Sequence, residues 1–231
     1  MRGAGCTWND FLDQKYDSKV ERTKDRPLAS NNISSKAALF FLFFQLVAGF
    51  LILIQFNSLT IFIGILSIIP IVIYPLMKRI TWWPQIFLGL TFNWGAIIGW
   101  TAVTDSFSIY CIALYLGCIF WTVGYDTIYA HQDKIDDEFL GLKSSAIFLG
   151  KKSKPAISIF YSIFFISISF LLISLDPMNR WLSFSLLAII GFHLIRQIYL
   201  LDIDNPEICH SIFKSNNSIG LLVFFLFFFL F

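Results

Sequence analysis

The sequence predicts an all-α, polytopic transmembrane helical bundle, and three observations predict it. The 231 residues are 57% hydrophobic and only 14% charged, with a mean hydropathy of +0.71, whereas charged residues make up about a quarter of a soluble domain. Apolar runs recur along the chain at lengths near the 20 helical residues that span a hydrocarbon core. No alternating strand pattern competes, and backbone in lipid must satisfy its own hydrogen bonds.

Seven runs are expected to span, near 37–56, 59–77, 84–104, 107–127, 156–175, 181–201 and 217–231. The 27 Phe residues sit mainly in such runs, where lipid-facing aromatic surface needs no protein to cover it. The last run, with 15 residues, is short unless Asn216 and Ser218 dip into the interface. No apolar stretch of a cleavable leader follows Met1. A net charge of +2 excludes little by itself and gives no sign of a nucleic-acid partner.

The distribution of charge says more. Residues 1–36, Lys78–Arg79, 128–155 and 202–216 hold nearly all the Lys and Arg, while the connections at 57–58, 105–106 and 176–180 hold only Arg180. The positive-inside rule puts the first group on the cytoplasmic side. Four spans separate residues 1–36 from 128–155, an even number, so both face one aqueous compartment.

Each of those two segments carries acids at helical spacing. At about 100° per residue, Asp10, Asp13 and Asp17 fall within a sector of roughly 60°, with Asn9 beside them. Asp126, Asp133 and Asp137 fall within roughly 40°, flanked by Tyr129 and Asp136. Stacked like charges destabilise a helix, more so beside a membrane. Divalent cations between the two faces relieve the repulsion, and hard oxygen ligands suit Mg2+ bridged to phosphate. Lys19, Arg22, Lys24 and Arg26 after the first cluster, and Lys143 after the second, supply positive partners for a diphosphate. Each of these is also an ordinary positive-inside residue, and one acidic run alone is an ordinary solvated face.

Cys6, Cys111, Cys118 and Cys209 form no CxxC pair and no metal-ligand spacing, and are expected to act as packing residues. His131, His193 and His210 are isolated, and Trp82, Trp83 and Trp100 suit an interface or a packed core.

Asn9–Asp17 followed by Val20–Leu28, and Tyr125–Ala130 running through Asp133, Asp136 and Asp137 to Gly141–Ala146, resemble the two aspartate-rich motifs of the UbiA superfamily of intramembrane prenyltransferases. Tyr74–Gln85 and Asn216–Leu221 are similar to segments of its 4-hydroxybenzoate polyprenyltransferase branch. The resemblance implies a bundle around a central cavity capped by the two motif loops, in a bacterial inner membrane or, in a eukaryote, the mitochondrial one. It implies transfer of a polyprenyl group from polyprenyl diphosphate to the ring carbon ortho to the hydroxyl of 4-hydroxybenzoate, in ubiquinone biosynthesis. It assigns Asp10, Asp13, Asp17, Asp126, Asp133 and Asp137 to Mg2+, with Asp10, Asp13, Asp126, Asp133 and Tyr125 catalytic. Asn9, Arg22, Arg26, Arg79, Lys143 and Tyr129 are then substrate-binding, Arg79 for the acceptor's carboxylate. No obligate protein partner is implied; the lipid bilayer is the partner expected.

Members of the superfamily have nine spans, the first motif lying at the end of the second. The expectation for residues 1–231 is therefore one such domain lacking the first helix and most of the next. Competing readings are prenyl transfer to a naphthoate, homogentisate, haem or lipid acceptor, a divalent-cation transporter, and an inactive remnant. A transporter would place its acids near the bilayer midplane rather than beside basic loops.

Overall fold

A computed structural model describes residues 2–20, 23–175, 177 and 179–228, and these contain helices and no strand. In chain order they are α1 (Arg2–Asp17), α2 (Ser35–Leu53), α3 (Ser58–Ile80), α4 (Pro84–Thr104), α5 (Ile109–Ala130), α6 (Lys134–Phe139), α7 (Ser145–Ser174), α8 (Arg180–Leu200) and α9 (Pro206–Phe228). All but α1 and α6 are long and apolar enough to cross a membrane, which gives the seven expected spans.

Their starts follow from capping. The first N–H groups of a helix have no partner within it, and few waters replace one near lipid. Ser34 accepts from Ala37 N, Asn57 from Thr60 N, Ser108 from Cys111 N and Asn179 from Leu182 N. Two spans are broken inside. In α3, Pro70 and Pro75 cannot donate, and a 3-10 turn at Tyr74–Leu76 tightens the C-terminal end. In α4 the break is Asn93, whose Nδ2 lies 2.8 Å from Gly89 O, 3.1 Å from Cys118 O and 2.8 Å from Thr122 Oγ1.

The principal core lies among α5, α7, α8 and α9, around Ile128, Ile157, Tyr161, Phe164, Ile190 and Ile219. Small residues allow α5 and α7 their close approach. A Cβ on Gly124 would lie 2.5 Å from Tyr161 Cε1, and one on Gly117 would lie 2.7 Å from Ser167 Cβ. At the other extreme only Ala38 of α2 is buried, and Phe40, Phe41, Phe43 and Phe44 face outward as lipid contacts.

Two expectations are corrected. The last span starts at Pro206, not near 217. Asn205 caps it by accepting from Glu207 N and Ile208 N, and Asn216, which looked like an interface residue, is buried with its side chain bonded. The second acidic segment is not one continuous helix. Its ladder stops at Ala130, a turn follows, and Asp133 (φ −102°, ψ 7°) begins α6. His131, bonded to Ser153, and Gln132, bonded to His210, tie that turn to α7 and α9, while Asp136 and Asp137 favour a new helix by lying in its first turn.

Candidate active site

The face of α1 that carries Asp10, Asp13 and Asp17 is met by three cations. Arg26 Nη1, from the loop after α1, lies 3.1 Å from Asp10 Oδ1 and 2.9 Å from Asp17 Oδ2. Asp13, 1% exposed, accepts from Lys78 Nζ at 2.6 Å and Arg79 Nη2 at 3.2 Å, both at the end of α3. Burial pushes the Asp17 carboxyl above its ordinary range and the charge of Asp13 adds to this, while Arg26 and Lys78 pull the other way.

The second motif folds over the same face because its loop is stitched to α3 and α4. Lys143 donates through its backbone N to Lys78 O at 2.8 Å and through Nζ to Ile80 O at 2.9 Å, with the ammonium 5.5 Å from the centre of the Trp82 ring. Ser145 N donates to Gln85 Oε1 at 3.1 Å. Asp126, Asp133, Asp136 and Asp137 then line the same cavity, of about 410 Å³, as Asp10, Asp13 and Asp17. Asn9, Arg26, Tyr129 and Lys143 also line it.

A second cavity of about 620 Å³ lies further along the spans, walled by Trp94, Ile98, Trp121, Tyr125 and Phe213. The two share Cys6, Tyr74, Leu88, Phe92 and Asp126. A charged chamber thus adjoins an aromatic and apolar one, with a carboxylate at the boundary. A phosphorylated head with a long apolar tail fits that division.

All six carboxylates expected to hold metal meet in the first chamber. Among the described residues no three acid, imidazole or thiol side chains are grouped so as to hold a metal ion by themselves. Magnesium does not require such a cage, since it keeps waters and shares carboxylates with substrate phosphates. The donor set, all carboxylate oxygen with bases beside it, fits that kind of binding.

Tyr125 is in the second chamber, edge-on to Trp121 at 5.5 Å and to Phe213 at 5.9 Å. Arg79 does not line either cavity. Its guanidinium lies on Leu12 O, Asp13 and the Tyr16 ring, 4.8 Å from that ring's centre. Arg22 lies outside the described residues. Of the cysteines, Cys111 and Cys209 are buried as packing residues should be, but Cys6 is exposed where the chambers join.

Lys78, Tyr74 and Gln85 also line the first chamber, and the sequence marks them only as part of the Tyr74–Gln85 segment, with no role of their own. Lys78 was legible as the neighbour of Arg79 in the one short turn that carries charge on the side of the acids. Nothing local marks Gln85, whose partner is 60 residues away.

A family model described as UbiA prenyltransferase family matches residues 1–230. The chain is 46% identical over 225 residues to the mitochondrial 4-hydroxybenzoate polyprenyltransferases of Drosophila melanogaster and Homo sapiens, a match covering 97% of this chain and 57% and 60% of theirs. It is 45% identical over 228 residues to 4-hydroxybenzoate geranyltransferase 2 of Lithospermum erythrorhizon, covering 97% of this chain and 73% of that protein. The chain thus spans less than two thirds of the mitochondrial relatives' length. The apo structure of a UbiA homolog from Aeropyrum pernix K1 has the same fold, with a TM-score of 0.81 at 20% identity over 96% of this chain and 84% of that one. So does a UbiA homolog from Archaeoglobus fulgidus bound to GPP and Mg2+, with a TM-score of 0.71 at 16% identity over 98% and 82%.

Proposed function

Because this chain belongs to the UbiA prenyltransferase family, we propose that it transfers a polyprenyl group from polyprenyl diphosphate to the ring carbon ortho to the hydroxyl of 4-hydroxybenzoate, a step of ubiquinone biosynthesis. One observation carries the reading: the chamber of acids and cations adjoins the aromatic one, with Asp126 and Tyr74 lining both. The diphosphate takes the first and the isoprenoid chain the second. The acceptor is the one in the names of the relatives at 45–46% identity.

Asp10, Asp13 and Asp17 from α1, Asp126 from α5, and Asp133 and Asp137 at α6 would hold magnesium, which would supply Lewis acidity to the leaving diphosphate. Arg26 and Lys143, already in the chamber, supply donors to the remaining phosphate oxygens. The allylic C–O bond breaks, and its electrons leave with the diphosphate. Trp121, Tyr125 and Phe213 keep water from the allylic cation and offer it π faces. The ring carbon beside the hydroxyl forms the new C–C bond, and loss of its proton restores aromaticity.

The setting we propose is the inner membrane of a mitochondrion or a bacterium, with both motif loops on the matrix or cytoplasmic side. The basic connections support that side, and the mitochondrial relatives support the compartment. Membranes carrying the full-length protein, given labelled polyprenyl diphosphate and equal 4-hydroxybenzoate, naphthoate and homogentisate, should yield chiefly labelled prenyl hydroxybenzoate. A preference for either other acceptor, or no transfer, would overturn the assignment. Cysteines at Ser18 and Lys152 should label from the same side of inside-out vesicles; opposite sides would end the single-site reading.

A further inference from the structure

We propose that Asn216, which lines the second chamber beside Trp121, is a positioning residue that fixes the Trp121 indole as the wall beside the ionising bond. This rests on the prenyl-transfer reading above. Asn216 is 6% exposed in the middle of α9, and an amide at membrane depth is costly unless its groups are satisfied. Its Nδ2 donates to Ile212 O at 3.1 Å, one turn back on its own helix. That bond orients the amide, so Oδ1 faces across to α5 and accepts from Trp121 Nε1 at 2.8 Å, over 95 residues of sequence.

Three further contacts hold the indole. Phe164 stacks on it at 5.1 Å and 14°, covering one face. Tyr125 meets it edge-on at 5.5 Å and 80°. Gly220, one turn beyond Asn216, lies beside its benzo edge, where an added Cβ would make an ordinary contact 3.5 Å from Cη2. The rest of the ring lines the second chamber, five residues before Asp126, which lines both.

Trp is the best cation–π partner among side chains, and an indole whose N–H is donated carries more electron density in its ring. A ring pinned by a hydrogen bond and a stack also needs no reorganisation when charge develops beside it. The Asn216 bond therefore aims and enriches the surface that meets the allylic cation. Loosened, the ring would admit water, which captures the cation to give prenyl alcohol and a proton in place of the prenylated acceptor.

The test uses the full-length protein with Asn216→Leu, which keeps volume and removes the acceptor, alone and combined with Trp121→Phe. Loss of one hydrogen bond of this kind corresponds to a fall in kcat of about tenfold, with donor KM little changed. The ratio of prenyl alcohol to transferred product should rise several-fold. The indole 15N–1H signal of Trp121, identified by its disappearance in Trp121→Phe, should move in Asn216→Leu. With Phe at 121, Asn216→Leu should cost almost nothing more. If Asn216→Leu left kcat and product ratio within about twofold of wild type, or if it cost as much with Phe at 121, this role would be overturned while the function stood. A wild type that transfers no prenyl group would overturn the function itself, and the role with it.

Discussion

Asp13 and Asp10 lie on one helical face three residues apart, yet the structure predicts that neutralising them has very different effects on stability. Asp13→Asn removes a carboxylate 1% exposed that holds Lys78 at 2.6 Å and Arg79 at 3.2 Å. A hydrogen bond between charged groups contributes about 1.5–3 kcal/mol net. The two cations are about a third exposed (28% and 31%), and solvent screening roughly halves this. Two such bonds thus give a loss of about 1.5–3 kcal/mol. Asp10→Asn breaks one pair between groups 34% and 35% exposed, and Arg26 keeps Asp17, so about 0.5 kcal/mol is expected. Unfolding by SDS in mixed micelles should separate the two variants by about 2 kcal/mol. Adding Lys78→Met and Arg79→Met to Asp13→Asn should recover part of the loss, because an apolar replacement of a whole buried ion cluster is often neutral. Equal destabilisation by Asp10→Asn and Asp13→Asn would refute the idea that Asp13 is the keystone between α1 and α3.

Asp133→Asn should nearly abolish turnover and leave membrane insertion intact, and the double variant with Asp13→Asn should be scarcely slower, since groups that work as a unit are non-additive; turnover that survives excess chelator would argue against metal-assisted ionisation. Arg79→Ala, whose guanidinium sits on Asp13 and Leu12 O, should lower thermal stability and raise donor and acceptor KM together; a rise for the acceptor alone would show that it grips the acceptor's carboxylate. His131 is pushed down to about 4, by burial first and by Lys134 next, against the pull of Asp204. It folds neutral, so the stability it contributes is complete above its unfolded value near 6.5 and is lost as pH falls toward 4. Melting temperature should fall across that window, and His131→Gln should flatten the fall; an unchanged slope would mean that other groups govern it.

The spans were legible because lipid imposes a single rule, a long apolar run, that needs no knowledge of neighbours. Where a polar residue has a distant partner the rule fails. Lys214, Ser215 and Asn216 made the last span look short, yet Ser215 accepts from Gln197 and Asn216 from Trp121, so these groups enter the bundle already satisfied. The six carboxylates were legible from spacing and from the even number of spans between them. The stop at Ala130 was not, because helical phase alone cannot register that His131 and Gln132 are held from α7 and α9. Nor could the sequence show that the cations nearest Asp13 come from a turn 65 residues on.

The stitching of the second loop to the first half of the chain has a consequence for biosynthesis. Lys143 reaches Lys78 and Ile80, and Ser145 reaches Gln85. A nascent chain with α2 to α4 inserted already has Asp13, Lys78 and Arg79, and so can close the first ion cluster. The groups that hold the second motif in place have not yet left the ribosome. The polar ends of α3 and α4, with Lys78 O, Ile80 O and Gln85 Oε1 waiting for donors, therefore serve as a docking edge that the later half must find after it inserts. A mutation there would be felt first as a failure of the two halves to join, before any effect on chemistry could be measured.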